Sequence, residues 1–458
     1  EEQEGLEALR EAWRRDRFNV RVFNLLELWD HTITPQYTEI TADPFVFRMH
    51  VDERAVMGPT VTAILTRAWN DMRRRYGFTP QTPVHIEMFS DPEHFSVRTS
   101  GLPNVGVQGV CFGQVVTALS PRGGPFNWAQ ITWHELAHVF HIQLSHNRVP
   151  RWFTEGLAEY ETIIARPEWQ REEDHRLYLA LISDRVPPVA QLNHAFTHAR
   201  NAEDMTIAYY GSSMLVKYIV ETFGFERIPR MLREWGNDRP SEEVIQRVLG
   251  LSSADLDRNF RRHTLARLAS RATDFAVDFG RYVDIDTART HAEQHPDDAD
   301  AQAALAASLT VNGQVNEATS AVRSALRLEP NHPMARFVAA RLALARNDPR
   351  TARADLRRLI ESGRDGYEVR LLQAQLALGT RDVAGGRSAL EAAVRIDPGR
   401  IEALQGLMQL AEQTNDAPLR ARVLRQLVDI DQHDRDSNFA LMQGLAEAGD
   451  WDGVREYG

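Results

Sequence analysis

A period of 34 residues runs through the last third of the chain. Three prolines fall on this spacing: Pro296, Pro330 and Pro398. Two-residue turn signals recur on the same spacing: Gly313-Gln314, Asn347-Asp348, Arg381-Asp382, Asn415-Asp416 and Gly449-Asp450. Such a period is typical of stacked helix-turn-helix units, each of which buries its apolar face only against its neighbours. The pattern therefore predicts an all-α solenoid in this part of the chain.

Small residues occupy equivalent positions in successive units, namely Ala306, Ala340 and Ala374, where they would let two helices approach closely. The period and these positions resemble tetratricopeptide repeats. We count four full units and a truncated fifth from about residue 297 onward, and we assign residues 276–458 to a repeat domain. Because stacked repeats present a concave face, the expected partner there is a protein or an extended peptide.

The stretch Trp133-His134-Glu135-Leu136-Ala137-His138 contains the pattern H-E-x-x-H. Side chains four residues apart share one face of a helix, so His134 and His138 can direct their imidazoles at one metal ion. Glu135 then lies beside the site, where it can take a proton from metal-bound water. Apolar neighbours such as Ile131 and Phe140 predict a buried helix, which we place from about residue 128 to 146.

A second stretch, W-F-T-E-G-L-A-E at residues 152–159, supplies candidates for the rest of the site. A catalytic zinc needs three protein ligands and one open position. Glu155 follows His138 closely enough that a loop and a second helix can return it to the metal. Glu159 is one helical turn further on the same face, where it can hydrogen-bond the free ring nitrogen of a ligand histidine.

Together the two stretches resemble the gluzincin peptidases, the thermolysin-like zinc hydrolases of the broad peptidase MA-like group. The resemblance implies Zn²⁺ as the cofactor, with His134, His138 and Glu155 as metal ligands and Glu135 as general base. It also implies an α+β zincin-like catalytic domain, with a mixed sheet and active-site helices, which we place at residues 31–275.

An apolar-periodic helix is predicted to begin near the sequence A-Y-Y-G-S-S at residues 208–213. Related gluzincins carry a tyrosine at the start of such a helix, and its hydroxyl stabilises the tetrahedral oxyanion. The resemblance implies this role for Tyr209, with Tyr210 in reserve. The alternative is that both are amphipathic core residues. His141 also lies on the metal side of the motif helix, and we interpret it as a neighbour of a ligand or as a core residue.

Alternating patterns predict strands near residues 38–41, 45–51 and 84–89, and two short strands within 106–119. In gluzincins the sheet edge before the motif helix pairs with the substrate backbone, and Val115–Leu119 is the candidate edge. The zinc aminopeptidases of this clan carry G-x-M-E-N in this region, whereas residues 109–113 are G-V-C-F-G. Aminopeptidase activity is therefore not expected. Cys111 either gates the site or is a buried structural thiol.

Helices are predicted on both sides of this core. Residues 1–30 are either the remnant of an upstream repeat or a docking helix of the catalytic domain. Three helices between 226 and 275 would close that domain, with Ser241 as the N-cap of the second.

Composition limits the partners. The net charge of −11 argues against a nucleic-acid partner, which would need a basic surface, and no run of 18 apolar residues could span a membrane. The single cysteine excludes an intrachain disulfide and favours a reducing compartment, such as the cytoplasm, over the periplasm or the exterior. No signal peptide is visible and the chain begins at Glu1, so localisation stays open.

The sequence thus predicts a zinc metallopeptidase fused to a repeat domain that recruits a peptide or protein substrate or a partner. The alternative is a repeat-based protein-binding scaffold whose zinc domain is catalytically silent or self-inhibited. A chance H-E-x-x-H on a core helix is disfavoured, because three separate segments agree.

Overall fold

A computed structural model describes residues 2–104, 106–124, 126–170, 173–199, 201–269, 275–431 and 434–457. The chain divides into two compact units. The first comprises residues 1–171, 186–261 and 433–435, and the second comprises 172–185, 262–432 and 436–458. The predicted boundary after residue 275 adjoins residues 270–274, which lie outside the described residues. The domain limits of the sequence analysis stay predictions.

A five-stranded mixed sheet is central to the first unit. Its strands are β1 (Tyr37–Ala42), β2 (Phe45–His50), β3 (Val84–Phe89), β4 (Gly109–Cys111) and β5 (Val115–Leu119). The order is β1-β2-β3-β5-β4, with β2, β3 and β5 parallel and the two outer strands antiparallel to their neighbours. The fold class is confirmed: a mixed sheet in the N-terminal region precedes a long all-helical region.

The two edge strands of the sheet are β1 and β4, so the prediction of Val115–Leu119 as an edge is wrong. β5 pairs on both sides, with β3 and with β4. The chain reverses its direction in the short turn between β4 and β5, where Gly113 has a φ of 86°. Glycine adopts this left-handed conformation without steric cost, and the turn folds β4 back along the outside of β5.

Helices connect and cover the strands. In chain order they are α1 (Glu2–Arg15), α2 (Val20–Leu28), α3 (Thr34–Gln36), α4 (Arg54–Tyr76), α5 (Pro92–Ser100), α6 (Trp128–Leu144), α7 (Arg151–Ala165), α8 (Asp174–Ile182), α9 (Leu192–Thr197), α10 (Ala202–Phe223), α11 (Arg227–Gly236), α12 (Ser241–Leu249) and α13 (Ser253–Arg267). The predicted cap at Ser241 is wrong by one residue: Pro240 holds the cap position. The Ser241 hydroxyl accepts a hydrogen bond from the Trp235 indole instead, at 3.1 Å.

A series of aromatic rings links the sheet to two helices in the core of the first unit. Phe45 from β2 lies edge-on to Trp69 from α4, with ring centroids 5.7 Å apart. Trp69 also packs against Phe140 from α6 at 5.2 Å. Phe45 and Phe140 are fully buried, and aromatic pairs at this spacing add to the hydrophobic stabilisation. The helix that carries the H-E-x-x-H pattern is thereby held against the sheet.

The N-terminal helices also pack within the first unit. Leu28 at the end of α2 joins a buried cluster with Phe89 from β3 and Phe95 from α5. The Asn24 side chain donates a hydrogen bond to the Gly101 carbonyl at 3.0 Å. The apolar face of α2 is therefore buried against the sheet domain. Among the described residues, no helix combines the length and apolar character needed to cross a membrane.

The second unit consists mainly of paired helices. It includes α8, although that helix lies between α7 and α9 in the sequence. Its other helices are α14 (Ile285–Gln294), α15 (Ala299–Val311), α16 (Val315–Leu328), α17 (Pro333–Ala345), α18 (Pro349–Glu361), α19 (Tyr367–Gly379), α20 (Val383–Ile396), α21 (Ile401–Thr414), α22 (Ala417–Ile430), α23 (Arg435–Glu447) and α24 (Trp451–Tyr457). From α15 onward they form four pairs and a fifth pair with a short second helix.

The repeated turn signals have a structural explanation. The first residue of each turn has a left-handed backbone, with a φ of 56° at Asn347 and 62° at Arg381. The second residue caps the following helix: Asp348, Asp382 and Asp416 each accept a hydrogen bond from the amide three residues later, at 3.1, 2.9 and 2.9 Å. One residue thus ends a helix and the next begins its partner.

Candidate metal centre

Helix α6 brings the two predicted histidine ligands together. It begins after Asn127, whose side-chain oxygen accepts a hydrogen bond from the Gln130 amide at 3.0 Å. His134 and His138 follow one helical turn apart and are both buried. Their Nε2 atoms lie 3.1 Å apart. The two imidazoles therefore converge on one point.

Glu155 reaches the same point from the next helix. Pro150 has an extended backbone and α7 begins at the following residue. Glu155 Oε2 lies 3.5 Å from His134 Nε2 and 3.4 Å from His138 Nε2. The structure therefore brings together the side chains of all three predicted ligands, and Glu155 could complete a set with the two histidines.

The chemistry of these atoms fits a cation. Glu159 Oε1 lies 3.1 Å from His134 Nδ1. An ionised carboxylate only accepts hydrogen bonds, so His134 Nδ1 carries a proton, and loss of the proton on Nε2 would leave a lone pair there for a metal ion. Ligand atoms of a tetrahedral zinc, each at about 2.0–2.1 Å from the metal, lie about 3.3 Å from one another. The observed separations of 3.1–3.5 Å match that spacing.

The electrostatics of the site favour positive charge. Burial lowers the pKa of His134, but hydrogen bonds with Glu155 and Glu159 outweigh burial and raise that pKa well above its ordinary value. Burial would raise the pKa of Glu155, but its hydrogen bonds with His134 and His138 hold it far below the usual range. A pocket of this kind stabilises either a proton or a metal cation, and binding of the cation releases the proton.

Glu135 lies beside the histidines and close to the sheet edge. His134, Glu135 and His138 each offer one possible metal-ligand atom. These three atoms all lie within 4.8 Å of one another. Burial raises the pKa of Glu135, against the opposing effect of the two histidines. A Cβ added at Gly109 in β4 would lie 2.6 Å from Glu135 Cγ and 2.7 Å from its Oε1. Glycine at this position therefore lets the edge strand pass directly beside the candidate general base.

Cys111 lies further along β4. Burial and the negative charge of Glu135 raise the pKa of its thiol, and Sγ accepts a hydrogen bond from the Gly113 amide at 3.3 Å. A thiol that stays protonated is a poor nucleophile and a poor metal ligand. These contacts favour the structural interpretation of Cys111 over a gating role.

The glycine of the E-G-L-A sequence sets the distance between α7 and α10. A Cβ added at Gly156 would lie 2.5 Å from both the carbonyl carbon and the carbonyl oxygen of Ser212. Backbone atoms of a buried helix cannot move aside cheaply, so only glycine permits this approach. The contact draws the helix that carries Glu155 toward the helix that carries Tyr209.

Tyr209 lies in the third turn of α10, which begins at Ala202, so the prediction that this helix begins near residue 208 is wrong. Tyr209 is half-buried, and its ring lies edge-on to Phe196, with centroids 5.2 Å apart. Burial and the negative charge of Glu155 raise the pKa of Tyr209 to about 12, against the opposing effect of Arg151. The hydroxyl is therefore protonated at neutral pH and can donate a hydrogen bond. These neighbours favour Tyr209 over the buried Tyr210 for the oxyanion role, which stays a prediction.

Two further residues at the site were missed by the sequence analysis. Arg151 Nε donates a hydrogen bond to Glu155 Oε1 at 3.3 Å. This is the carboxylate oxygen that is not directed at the histidines. Thr154 Oγ1 lies 2.8 Å from His138 Nδ1. The four-residue spacing of Arg151 and Glu155 is a usable signal for such a pair. The sequence carries no such signal for Thr154. Adjacent helical side chains point about 100° apart, so its position next to Glu155 does not predict a contact with His138.

His141 is fully buried, and its ring lies edge-on to that of His138, with centroids 5.8 Å apart. Its Nδ1 is 3.1 Å from Thr154 Oγ1, and its Nε2 is 2.9 Å from the Tyr76 hydroxyl. Burial and the nearby His138 and His134 lower its pKa well below the usual value. His141 is thus a core residue that contacts a candidate ligand through Thr154.

A sequence model of the Peptidase MA superfamily matches residues 66–266 of this chain. The matched range contains the H-E-x-x-H pattern, Glu155 and Tyr209. The match supports a peptidase-like region before the repeats at the level of the superfamily. No curated protein is significantly similar to the chain.

Three solved structures are similar to parts of the chain. YrrB, a TPR protein described as having an unusual peptide-binding site, is 13% identical with a TM-score of 0.32, over 38% of this chain and 90% of that chain. PilF of Pseudomonas aeruginosa is 16% identical with a TM-score of 0.31, over 37% of this chain and 78% of that chain. A chain of the APC/C hetero-tetramer Cut9-Hcn1 is 10% identical with a TM-score of 0.30, over 72% of this chain and 66% of that chain.

Proposed function

We propose that this protein is a zinc-dependent metallopeptidase of the gluzincin type, and that its repeat helices recruit the substrate or a partner. One observation carries the proposal: atoms of His134, His138 and Glu155 converge at separations of 3.1–3.5 Å beside the buried Glu135. The superfamily match over the same residues supports hydrolysis of peptide bonds as the reaction class.

Each residue has a separate task in the proposed reaction. Zinc, when bound, supplies a Lewis acid and a water whose pKa is lowered to about 7. Glu135 accepts a proton from the attacking water and transfers it to the leaving amine. Its burial beside the two histidines places this carboxylate where it can take a proton and give it up again. Tyr209 donates its hydroxyl proton in a hydrogen bond to the carbonyl oxygen as that oxygen becomes negative.

The edge strand β4 is the proposed surface for the substrate backbone. An extended peptide can add to an exposed strand through main-chain hydrogen bonds. A peptide paired with β4 would pass Gly109, which lies against Glu135. Strand pairing would therefore hold the scissile bond beside the general base, in a position that does not depend on the side chains of the substrate.

The repeat helices supply a separate groove for a protein partner. Helices α18, α19 and α20 line a cavity of about 390 Å³. Its lining combines apolar Leu356 and Leu376 with charged Arg353, Arg357 and Glu361. Such a mixture suits an extended segment with both apolar and charged side chains. The proposed role of this groove is recruitment of a peptide or protein.

The test compares wild-type protein with Glu135→Gln and with the surface control Glu168→Gln. We expect wild-type protein to bind one zinc and cleave a quenched-fluorescence peptide library. Glu135→Gln should retain the metal but lose activity by a factor of about 10²–10⁴, whereas Glu168→Gln should match wild type. Full turnover by Glu135→Gln would overturn the mechanism. Zinc binding without cleavage, together with partner capture by the repeats, would favour the scaffold alternative.

A further inference from the structure

A chain of buried hydrogen bonds leads away from the proposed metal site. His138 Nδ1 lies 2.8 Å from Thr154 Oγ1, which lies 3.1 Å from His141 Nδ1. His141 Nε2 in turn lies 2.9 Å from the Tyr76 hydroxyl. The side chains of His141 and Tyr76 are almost completely removed from solvent. The chain thus joins a candidate metal ligand to the interior of the first unit.

The chain ends at a buried ion pair. Glu161 is fully buried, and its Oε2 pairs with the Arg75 guanidinium. Its other oxygen, Oε1, has no hydrogen-bond partner of normal geometry among the described residues. Burial and the negative charge of Glu161 raise the pKa of the Tyr76 hydroxyl, which therefore keeps its proton near this carboxylate. Because an ionised carboxylate can only accept, Glu161 provides an acceptor for the proton of Tyr76.

If each hydroxyl passes its proton to the next group of the chain, the hydrogen bonds can run in either of two directions. Each hydroxyl has one proton to donate, and a neutral imidazole has one ring proton. In the first direction, His138 donates to Thr154, Thr154 to His141, His141 to Tyr76, and Tyr76 to Glu161. In the reverse direction Tyr76 donates to His141, His141 to Thr154, and Thr154 to His138 Nδ1.

The two directions have opposite consequences for His138. In the first, the ring proton is on Nδ1, so Nε2 presents a lone pair toward His134 and Glu155. In the reverse, the proton of the neutral ring is on Nε2, where it blocks a metal ion. A fixed acceptor at the far end of the chain therefore decides whether His138 can act as a ligand.

We infer that Glu161, held by Arg75, orders this relay so that His138 is fixed in the tautomer that binds the metal. Thr154, His141 and Tyr76 are then positioning residues that act on the metal through His138. His134 receives the equivalent help directly, because its Nδ1 contacts Glu159. The inference rests on the metal site of the proposed function, but it does not require peptide hydrolysis.

The test measures zinc affinity of the full chain by competition with a chromophoric chelator. Thr154→Val and Tyr76→Phe interrupt the relay, and we expect zinc to bind each about 10–100-fold more weakly. Thr154→Ser keeps the hydroxyl and should stay within about threefold of wild type. Tyr160→Phe is a second control, because Tyr160 lies near Glu161 but outside the relay. Unchanged affinity in folded Thr154→Val and Tyr76→Phe would overturn the inference.

A second measurement does not depend on any variant. In zinc-loaded wild-type protein labelled with ¹⁵N-histidine, NMR should find the His141 proton on Nε2. A proton on Nδ1 would reject the relay even if the enzyme is active. Zinc binding with Nε2 protonated but no peptide cleavage would reject the proposed peptidase and leave the relay intact. A wild-type protein that binds no zinc would overturn both.

Discussion

The first compact unit and the repeat helices of the second differ in how far apart in the sequence their contacting residues lie. In the first unit, Arg75 and its buried ion-pair partner Glu161 are 86 residues apart. In the second, the corresponding pair of Arg336 and Asp355 is 19 residues apart. The helices of a repeat pack against sequence neighbours, whereas the candidate metal site and the residues around it combine α4, α6, α7, α10 and the sheet edge.

This difference has consequences for stability. Buried polar groups cost free energy unless each finds a partner, and the partners in the first unit come from several distant segments. A change there should affect many contacts at once. The second unit is built from a repeated pattern, so that a change in one turn should stay local and small. Four experiments test this contrast.

Removal of zinc should distinguish the units most strongly. A ligand present at about 1,000 times its dissociation constant stabilises the folded state by about 4 kcal/mol. For a unit of this size, chelation should lower the unfolding temperature of the first unit by roughly 10 °C. The transition of the repeats should move by less than about 2 °C. Calorimetry with and without chelator provides the measurement, and a common shift of both transitions would break the contrast.

Gly156→Ala should destabilise the first unit by about 2–3 kcal/mol, because the new Cβ meets the Ser212 backbone at 2.5 Å. Gly444 in α23 is the matched control, since a Cβ there meets nothing within 4 Å. Gly444→Ala should therefore stabilise the second unit by about 0.5–1 kcal/mol through the better helix propensity of alanine. Urea unfolding measures both changes. Equal effects of the two variants would contradict the packing argument.

Asp382→Ala should cost about 1 kcal/mol, because it removes the hydrogen bond that caps α20. Gln314 occupies the equivalent position before α16 but makes no side-chain cap. Gln314→Ala should therefore change the free energy of unfolding by less than about 0.3 kcal/mol. If both variants lose the same free energy, the repeated aspartates do not act as caps.

Arg381→Gly should give the smallest effect and the opposite sign. Arg381 has a φ of 62°, a conformation that costs a non-glycine residue about 1 kcal/mol or more. The larger backbone entropy of glycine in the unfolded chain offsets part of this gain. We expect a net stabilisation of about 0.5 kcal/mol, measured by urea unfolding, and a smaller one for Asn347→Gly. Destabilisation by Arg381→Gly would show that its side chain makes a contact worth more than the strain.

Several features of the fold could be predicted because they depend on local geometry. The strand at Val84–Phe89 and the helix of the H-E-x-x-H pattern follow from side-chain periodicity. The wrong predictions of the sheet edge and of the helix cap depended on distant or competing groups. Val115–Leu119 is not the edge because the turn at Gly113 folds β4 outside it. Ser241 does not cap α12 because Pro240 occupies the cap position. The Ser241 hydroxyl instead accepts a hydrogen bond from the Trp235 indole.

For the candidate site, the sequence by itself determined which side chains share a helical face: His134 with His138, and Glu155 with Glu159. The period of a helix is a property of the backbone, so four-residue spacing predicts these pairs without any knowledge of the fold. Only the tertiary structure decided that Glu155 reaches the histidines, that Gly109 lies against Glu135, and that Tyr76 lies in line with His141. Such contacts depend on how close separated segments approach. That distance is set by the volumes of the side chains between them, which act together only in the packed core.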